Sequence, residues 1–169
     1  MNTLDRRRFC KLLGGGIVVL VTTKPMDLFA QRTNYPEDPN AYLRIDENGR
    51  VTLFSGKVEM GQGINTSLSQ MAADELGVPL DSIDIVMGDT DLVPFDAGTW
   101  GSLTTRFFGP AVRAAAAEAR TVMMKLAAEK LGVPREQLAV SNGVVSAGNR
   151  KVTYGELARG KTIARLVDE

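Results

Sequence analysis

The sequence predicts an α+β domain of mixed strands with two main helices. Three observations carry that expectation. Apolar residues alternate on both sides of Asn48-Gly49. Two longer stretches show helical apolar spacing, and each stops at a glycine. Two glycine-bearing loops each lead from an expected strand into one of those helices. A chain of 169 residues with 44% apolar side chains suits one domain of modest size.

In chain order, residues 1–30 read as an export leader. "LDRRRFCKLLGGGIVVLVTTKP" is a basic region followed by an apolar run, Leu12 to Val21. That run is too short to span a bilayer as a standard helix and suits a signal segment. The alternative is a buried helix of the domain. Gly14, Gly15 and Gly16 argue against it, since each glycine costs ~1 kcal/mol in a helix. Arg6-Arg7-Arg8-Phe9-Cys10-Lys11 resembles the twin-arginine export pattern, with Asp5 where Ser or Thr often stands. Leu28-Phe29-Ala30 ends in a small residue without forming a clean cleavage site, so a retained leader acting as an anchor stays open. Periplasmic export is the expectation.

Residues 31–40, "QRTNYPEDPN", read as an extended linker, because two prolines break any period. The cofactor-binding part expected below occupies 41–169. It opens with "AYLRIDENGRVTLFSG", two strands around a turn: Leu43 and Ile45 flank Arg44, and Val51 and Leu53 flank Thr52. Ile64, Leu68, Met71, Ala72 and Leu76 then mark one face of a short helix closed by Gly77, with Pro79 beyond. "SIDIVMGD" is the next strand. A long loop leads to the clearest helix, Ala111 to Leu131, stopped by Gly132 and Pro134. Pro110 suits the first turn of that helix, which makes 102–109 loop or a separate helical turn. Short strands around Asn142-Gly143 and Gly148-Asn149, then one helical turn, complete the reading.

Composition excludes several function classes. Lys+Arg and Asp+Glu are both 20, but residues 1–30 hold five bases and two acids, which leaves a net of about −3 from residue 31 onward. That is no footprint for nucleic acid. There is no histidine, and the one cysteine, Cys10, lies in the leader. The rest of the chain therefore lacks His and Cys ligands for a metal and has no Ser–His or Cys–His nucleophile pair. Demanding chemistry must come from a bound cofactor or a partner chain.

Two loops are candidates for holding a cofactor. Gly61-Gln62-Gly63 ahead of a helix offers backbone N–H groups, a favourable dipole end and an amide that donates and accepts, which suits a phosphate or a polar heterocycle. The alternative is a plain glycine-rich turn. It is neither a Walker loop nor the Rossmann fingerprint. In "GTWGSLTTRFFGP", Ser102, Thr104 and Thr105 put hydroxyls beside Gly101 just before the second helix. These suit an anion or a pterin, or else cap the helix. Arg106 is a phosphate partner or a solvated charge. Asp89, Asp91 and Asp96 miss the EF-hand spacing, so no metal site is assigned. Trp100 and Phe107-Phe108 read as packing or subunit-contact residues. The strand–loop–helix order occurs twice, so two strand ends and two helix starts are expected to meet around one ligand.

Read together, "GKVEMGQGINTSLSQMAADELGVPLDSIDIVMGDT", "DAGTWGSLTTRFFGPAVRAAAAEAR" and "VSNGVVSAGNRKVTYGELARGK" resemble the molybdenum-cofactor-binding large subunits of the xanthine dehydrogenase family. The isoquinoline 1-oxidoreductase and nicotinate dehydrogenase branch is the most similar, and the likeness is to the N-terminal part of those subunits. The resemblance implies a molybdopterin cofactor, often a cytosine dinucleotide in bacteria, that carries molybdenum through a dithiolene. It implies hydroxylation of an aldehyde or N-heterocycle with oxygen from water, and electron exit through a separate [2Fe–2S] subunit. Carried over by position, Gln62 contacts the pterin system, Gly61 and Gly63 let the backbone approach it, and Gly101, Ser102, Thr104 and Thr105 line the second cofactor-binding loop. Family large subunits are several times longer and place their catalytic glutamate near the far end. No residue here matches it, so no catalytic residue is assigned, and the chain is expected to be inactive alone and completed by further polypeptide. An exported non-catalytic domain with an assembly or interaction role is the competing reading.

Overall fold

The structure, a computed structural model, describes residues 16–22, 41–93, 95–96, 98–99 and 101–168. The arginine pattern at 6–11, the cleavage candidate at 28–30, the linker at 31–40 and Trp100 lie outside the described residues.

A five-stranded sheet forms the base, in the order β4-β3-β2-β1-β8. Its strands are β1 (Gly16–Thr22), β2 (Ala41–Ile45), β3 (Val51–Ser55), β4 (Ile83–Met87) and β8 (Thr162–Asp168). β2 and β3 are the expected hairpin. The Asp46 carboxylate accepts the N–H groups of Asn48 and Arg50, and Gly49 takes a φ of 83°, which a tight turn requires. Register lines up the apolar residues in two rows across the sheet. Ile17, Ile45, Val51 and Ile83 form one, and Val19, Leu43, Leu53 and Ile85 the other. Both rows belong to the core, with Ile85 partly buried against it. The side-chain period of two makes that alternation visible in the sequence.

Two helices cover these rows. The first, α1 (Ile64–Leu76), buries Ile64, Leu68, Ala72 and Leu76, as the spacing predicts, with Met71 partly buried against the core. The second, α2 (Gly109–Leu131), packs on α1, β1 and β2 through Ala111, Ala115, Ala116 and Ala119, whose small side chains permit close approach. A π-helical turn, Thr104–Phe108, runs directly into α2, so the helical path starts earlier than Pro110 suggests. Among the described residues, no helix is long and apolar enough to cross a membrane.

A second sheet holds β5 (Ala139–Ser141), β6 (Val144–Ala147) and β7 (Arg150–Thr153), followed by α3 (Tyr154–Ala158). Thr153 and Glu156 form a capping box at α3. The Tyr154 hydroxyl donates to the Leu76 carbonyl at 2.9 Å, and the Gly143 N–H donates to the Gly77 carbonyl at 2.9 Å. The C-terminal end of α1 is thereby tied to the small sheet. Burial pushes the Tyr154 hydroxyl up to about 12, so it stays a donor at any working pH.

Two findings depart from the sequence reading. Gly16–Thr22, assigned to the leader's apolar run, stands as a strand between β2 and β8, with Ile17, Val18, Val19 and Leu20 all buried. Ile17, Val18 and Val19 are β-branched, which favours a strand over the helix weighed for this run. β8, for which no element was expected, pairs in parallel with β1.

Candidate functional site

The site starts at the ends of two parallel neighbours. Ser55 closes β3 opposite Met87, which closes β4, so both strands release the chain at the same end of the sheet. The first loop returns to α1 and the second reaches the π-helical turn and α2. Their convergence follows from the strand pairing, as the repeated strand–loop–helix order predicts.

Within the first loop, the Gln62 side chain folds back on its own backbone. Its Nε2 donates to the Val58 carbonyl at 2.9 Å, and its Oε1 accepts the Met60 N–H. Glu59 does more. Its Oε1 accepts the N–H groups of Gly61 at 2.8 Å and Gly63 at 3.0 Å, and its Oε2 accepts that of Asn65 at 2.9 Å. The Asn65 and Gly63 amides in particular hold the Glu59 carboxyl below the usual carboxylate range. This corrects the expectation that the amides at the start of α1 are free for a phosphate. A carboxylate already fills those of Gly61, Gly63 and Asn65. Gly61 and Gly63 have φ of 92° and 79°, with open space where a Cβ would stand. Glycine is required there by backbone conformation, not by a close protein neighbour.

The second loop is joined to the first by polar bonds. Lys57 Nζ donates to Asp96 Oδ1 and to the Gly98 carbonyl, both at 2.8 Å, and lies 5.7 Å from the centre of the Phe108 ring. The Val58 N–H donates to the Thr99 hydroxyl at 3.2 Å. Between the loops lies a cleft of about 580 Å³. Met60, Gln62 and Ile64 line one side, and Thr99, Gly101, Ser102, Thr104 and Thr105 the other. The structure thus brings together Gln62, Gly101, Ser102, Thr104 and Thr105, while Gly61 and Gly63 shape the loop without lining the cleft. Thr104 is buried; Gln62, Ser102 and Thr105 are exposed.

The alternative roles for these residues fare differently. No side chain caps the π-helical turn or α2, so the hydroxyls of the second loop are not spent as N-caps. Arg106 lies over the Phe107 ring at 5.1 Å and does not line the cleft. Asp89 accepts the N–H groups of Asp91 and Leu92, a local turn. Among the described residues no cluster of three or more His, Cys, Asp or Glu is placed to hold a metal. Sequence reasoning missed Lys57, Glu59 and, in its bridging role, Asp96. Glu59 lies four residues before the cap of α1, outside any capping-box spacing. Asp96 is distant from Lys57 in the chain.

Comparison with known proteins gives this geometry its context. The model of the molybdopterin cofactor-binding domain matches residues 4–167. A nicotinate dehydrogenase chain of Pseudomonas putida is 37% identical over 121 residues, covering 71% of this chain and 10% of that protein. The beta chain of isoquinoline 1-oxidoreductase from Brevundimonas diminuta is 35% identical over 128 residues, covering 70% of this chain and 16% of that protein. Among solved structures, CO dehydrogenase from Oligotropha carboxidovorans superposes with a TM-score of 0.62 at 34% identity over 70% of this chain and 15% of that one. The chain therefore spans between a tenth and a sixth of these relatives. Since the family match runs from residue 4 to residue 167, both loops included, the chain belongs to the molybdopterin cofactor-binding domains of the molybdenum hydroxylase family.

Proposed function

We propose that the cleft between the two loops receives the pterin system of molybdopterin, and that the chain is the cofactor-binding segment of an exported molybdenum hydroxylase acting on an aldehyde or N-heterocycle. The observation that carries this is the meeting of Gln62 with Ser102, Thr104 and Thr105 across one cleft. The residues fit the group. A volume of about 580 Å³ lies within the ~300–1,000 Å³ of small-molecule sites. Met60 and Ile64 offer an apolar face. After its two loop bonds, the Gln62 amide keeps one N–H and one lone pair for a heterocycle edge.

When bound, the cofactor supplies the metal, through its own sulfur ligands, and the two-electron oxidation. The work of this chain is to hold and orient it. Exposure of Gln62, Ser102 and Thr105 supports closure of the cleft by further polypeptide. The oxidation needs an electron acceptor, which in this reading is a separate [2Fe–2S] subunit.

The test is purification of the chain together with its neighbouring gene product, followed by molybdenum and pterin analysis. One of each per chain is expected, with CMP released on hydrolysis if the cofactor is the cytosine dinucleotide. The chain alone is expected to turn over neither an aldehyde nor an N-heterocycle. A complex free of pterin overturns the reading and favours the assembly role. Export is tested separately: replacing Arg6, Arg7 and Arg8 by Lys keeps the charge but removes the guanidinium groups. Unchanged delivery of that variant to the periplasm overturns the twin-arginine assignment.

A further inference from the structure

Glu59 does not line the cleft, yet its two oxygens gather three backbone N–H groups on both sides of Gln62. We propose that Glu59 is the positioning residue of the first loop: its carboxylate fixes the Gly61–Gly63 backbone so that the Gln62 amide faces the cleft. The inference rests on the reading of the cleft as the cofactor site.

The geometry argues for this role in two ways. Gly61 and Gly63 both have positive φ and open space where a Cβ would stand, so no side chain at either position anchors the loop. Glycine has the most conformational freedom to lose on ordering. Glu59 provides three of the hydrogen bonds that fix this backbone. One oxygen bridges the two glycines that flank Gln62, and the other reaches past them into the first turn of α1. The Gln62 side chain adds the complementary bonds, to Val58 and Met60 on either side of Glu59. Glu59 and Gln62 therefore act as one interlocked pair, each fixing the backbone that carries the other. The carboxylate also places negative charge at the start of α1, where the helix dipole favours it.

Glu59→Gln is the discriminating change. It keeps size and one acceptor oxygen but turns an NH₂ group toward backbone donors. In the full chain without cofactor, the amides of Gly61, Gly63 and Asn65 are expected to exchange with solvent at least tenfold faster, while those of α2 stay unchanged. In the chain purified with its neighbouring gene product, bound pterin is expected to fall about tenfold. Gln62→Ala is expected to produce a similar loss, and the double variant no more than the worse single one, because the two act through one backbone. A merely structural glutamate would lower the melting temperature of the whole chain and add its effect to that of Gln62→Ala.

The outcomes separate cleanly. Pterin retained by Glu59→Gln at the parent level, unchanged exchange, or additive losses each overturn the positioning role. A parent complex that carries no pterin overturns the cofactor reading, and the inference with it.

Discussion

Lys57 and Asp96 form an ion pair at 2.8 Å with side chains only 13% and 3% exposed, and the bond joins the two loops of the cleft. Lys57 leaves the end of β3, whereas Asp96 stands in the loop after β4. The same carboxylate oxygen accepts the Gly98 N–H, so one atom orders both loops. Removing one partner of a buried pair leaves an uncompensated charge and costs about 3–5 kcal/mol. Asp96→Asn is therefore expected to lower the denaturant midpoint strongly. Lys57→Met combined with Asp96→Asn should recover part of the loss, since the Asn oxygen still serves Gly98. Equal stability of parent and Asp96→Asn would show that the loops are not joined through this pair.

Gly155 tests the seam between α3 and the β2–β3 turn. A Cβ there would stand 2.8 Å from the Asn48 carbonyl carbon and the Glu47 carbonyl oxygen, and 2.9 Å from the Gly49 nitrogen. All three are backbone atoms and cannot rotate away. Gly155→Ala is expected to cost about 1–3 kcal/mol, read as a fall in melting temperature of about 2–4 °C per kcal/mol for a chain of this size. An unchanged melting temperature would mean that the two elements do not touch.

Much of this was legible in the sequence, for reasons that differ by element. The hairpin and both main helices carry local signals: alternation around Asn48-Gly49, and Gly77 and Gly132 as stops that take left-handed φ. The convergence of the two loops was readable because the strand–loop–helix order occurs twice. β8 was not readable, since Thr162–Asp168 becomes a strand only by pairing with β1, more than a hundred residues earlier. Glu59 escaped for a similar reason. A carboxylate that reaches forward across Gly61 and Gly63 depends on their positive φ, which a sequence pattern does not display.

The apolar run Gly16–Thr22 brings the leader reading and the sheet into direct opposition. Burial of Ile17, Val18, Val19 and Leu20 contributes ~1.5–3 kcal/mol each as an upper figure. The sum rivals the ~5–15 kcal/mol net stability of a whole domain. A chain starting at residue 31 is therefore expected to lose cooperative unfolding or to aggregate. If it instead melts at the temperature of the full chain, β1 is dispensable and the run serves the leader alone.

The Glu59 carboxyl gives the first loop a pH dependence whose sign can be worked out. Its folded-state pKa lies below the unfolded value because backbone amides donate to the charged form. Its hold on the loop is thus fully present above the usual carboxylate range and is lost as pH falls through the lowered value. The Gly61 and Gly63 amide resonances are expected to titrate together, with a midpoint below that of an ordinary glutamate. A midpoint at or above the ordinary value would contradict the three hydrogen bonds.

Gly63 decides what the glycines beside Gln62 are for. Two causes compete: the positive φ of 79°, or a close approach of the backbone to the bound cofactor. No protein atom stands within 4 Å of a Cβ at this position, so the protein alone sets only a conformational demand. A left-handed conformation costs roughly 1–2 kcal/mol for most residues, less for Asn and more for a β-branched side chain. If φ is the cause, Gly63→Asn should keep most of the parent pterin content, while Gly63→Val should lose about tenfold, since ~1.4 kcal/mol is tenfold. If the cofactor presses on this backbone, both variants should lose pterin alike, because either Cβ occupies the same space. Pterin content of the two variants, measured on the chain purified with its neighbouring gene product, separates the causes. Full retention of pterin by both Gly63→Val and Gln62→Ala would make the loop a plain turn and remove it from the site.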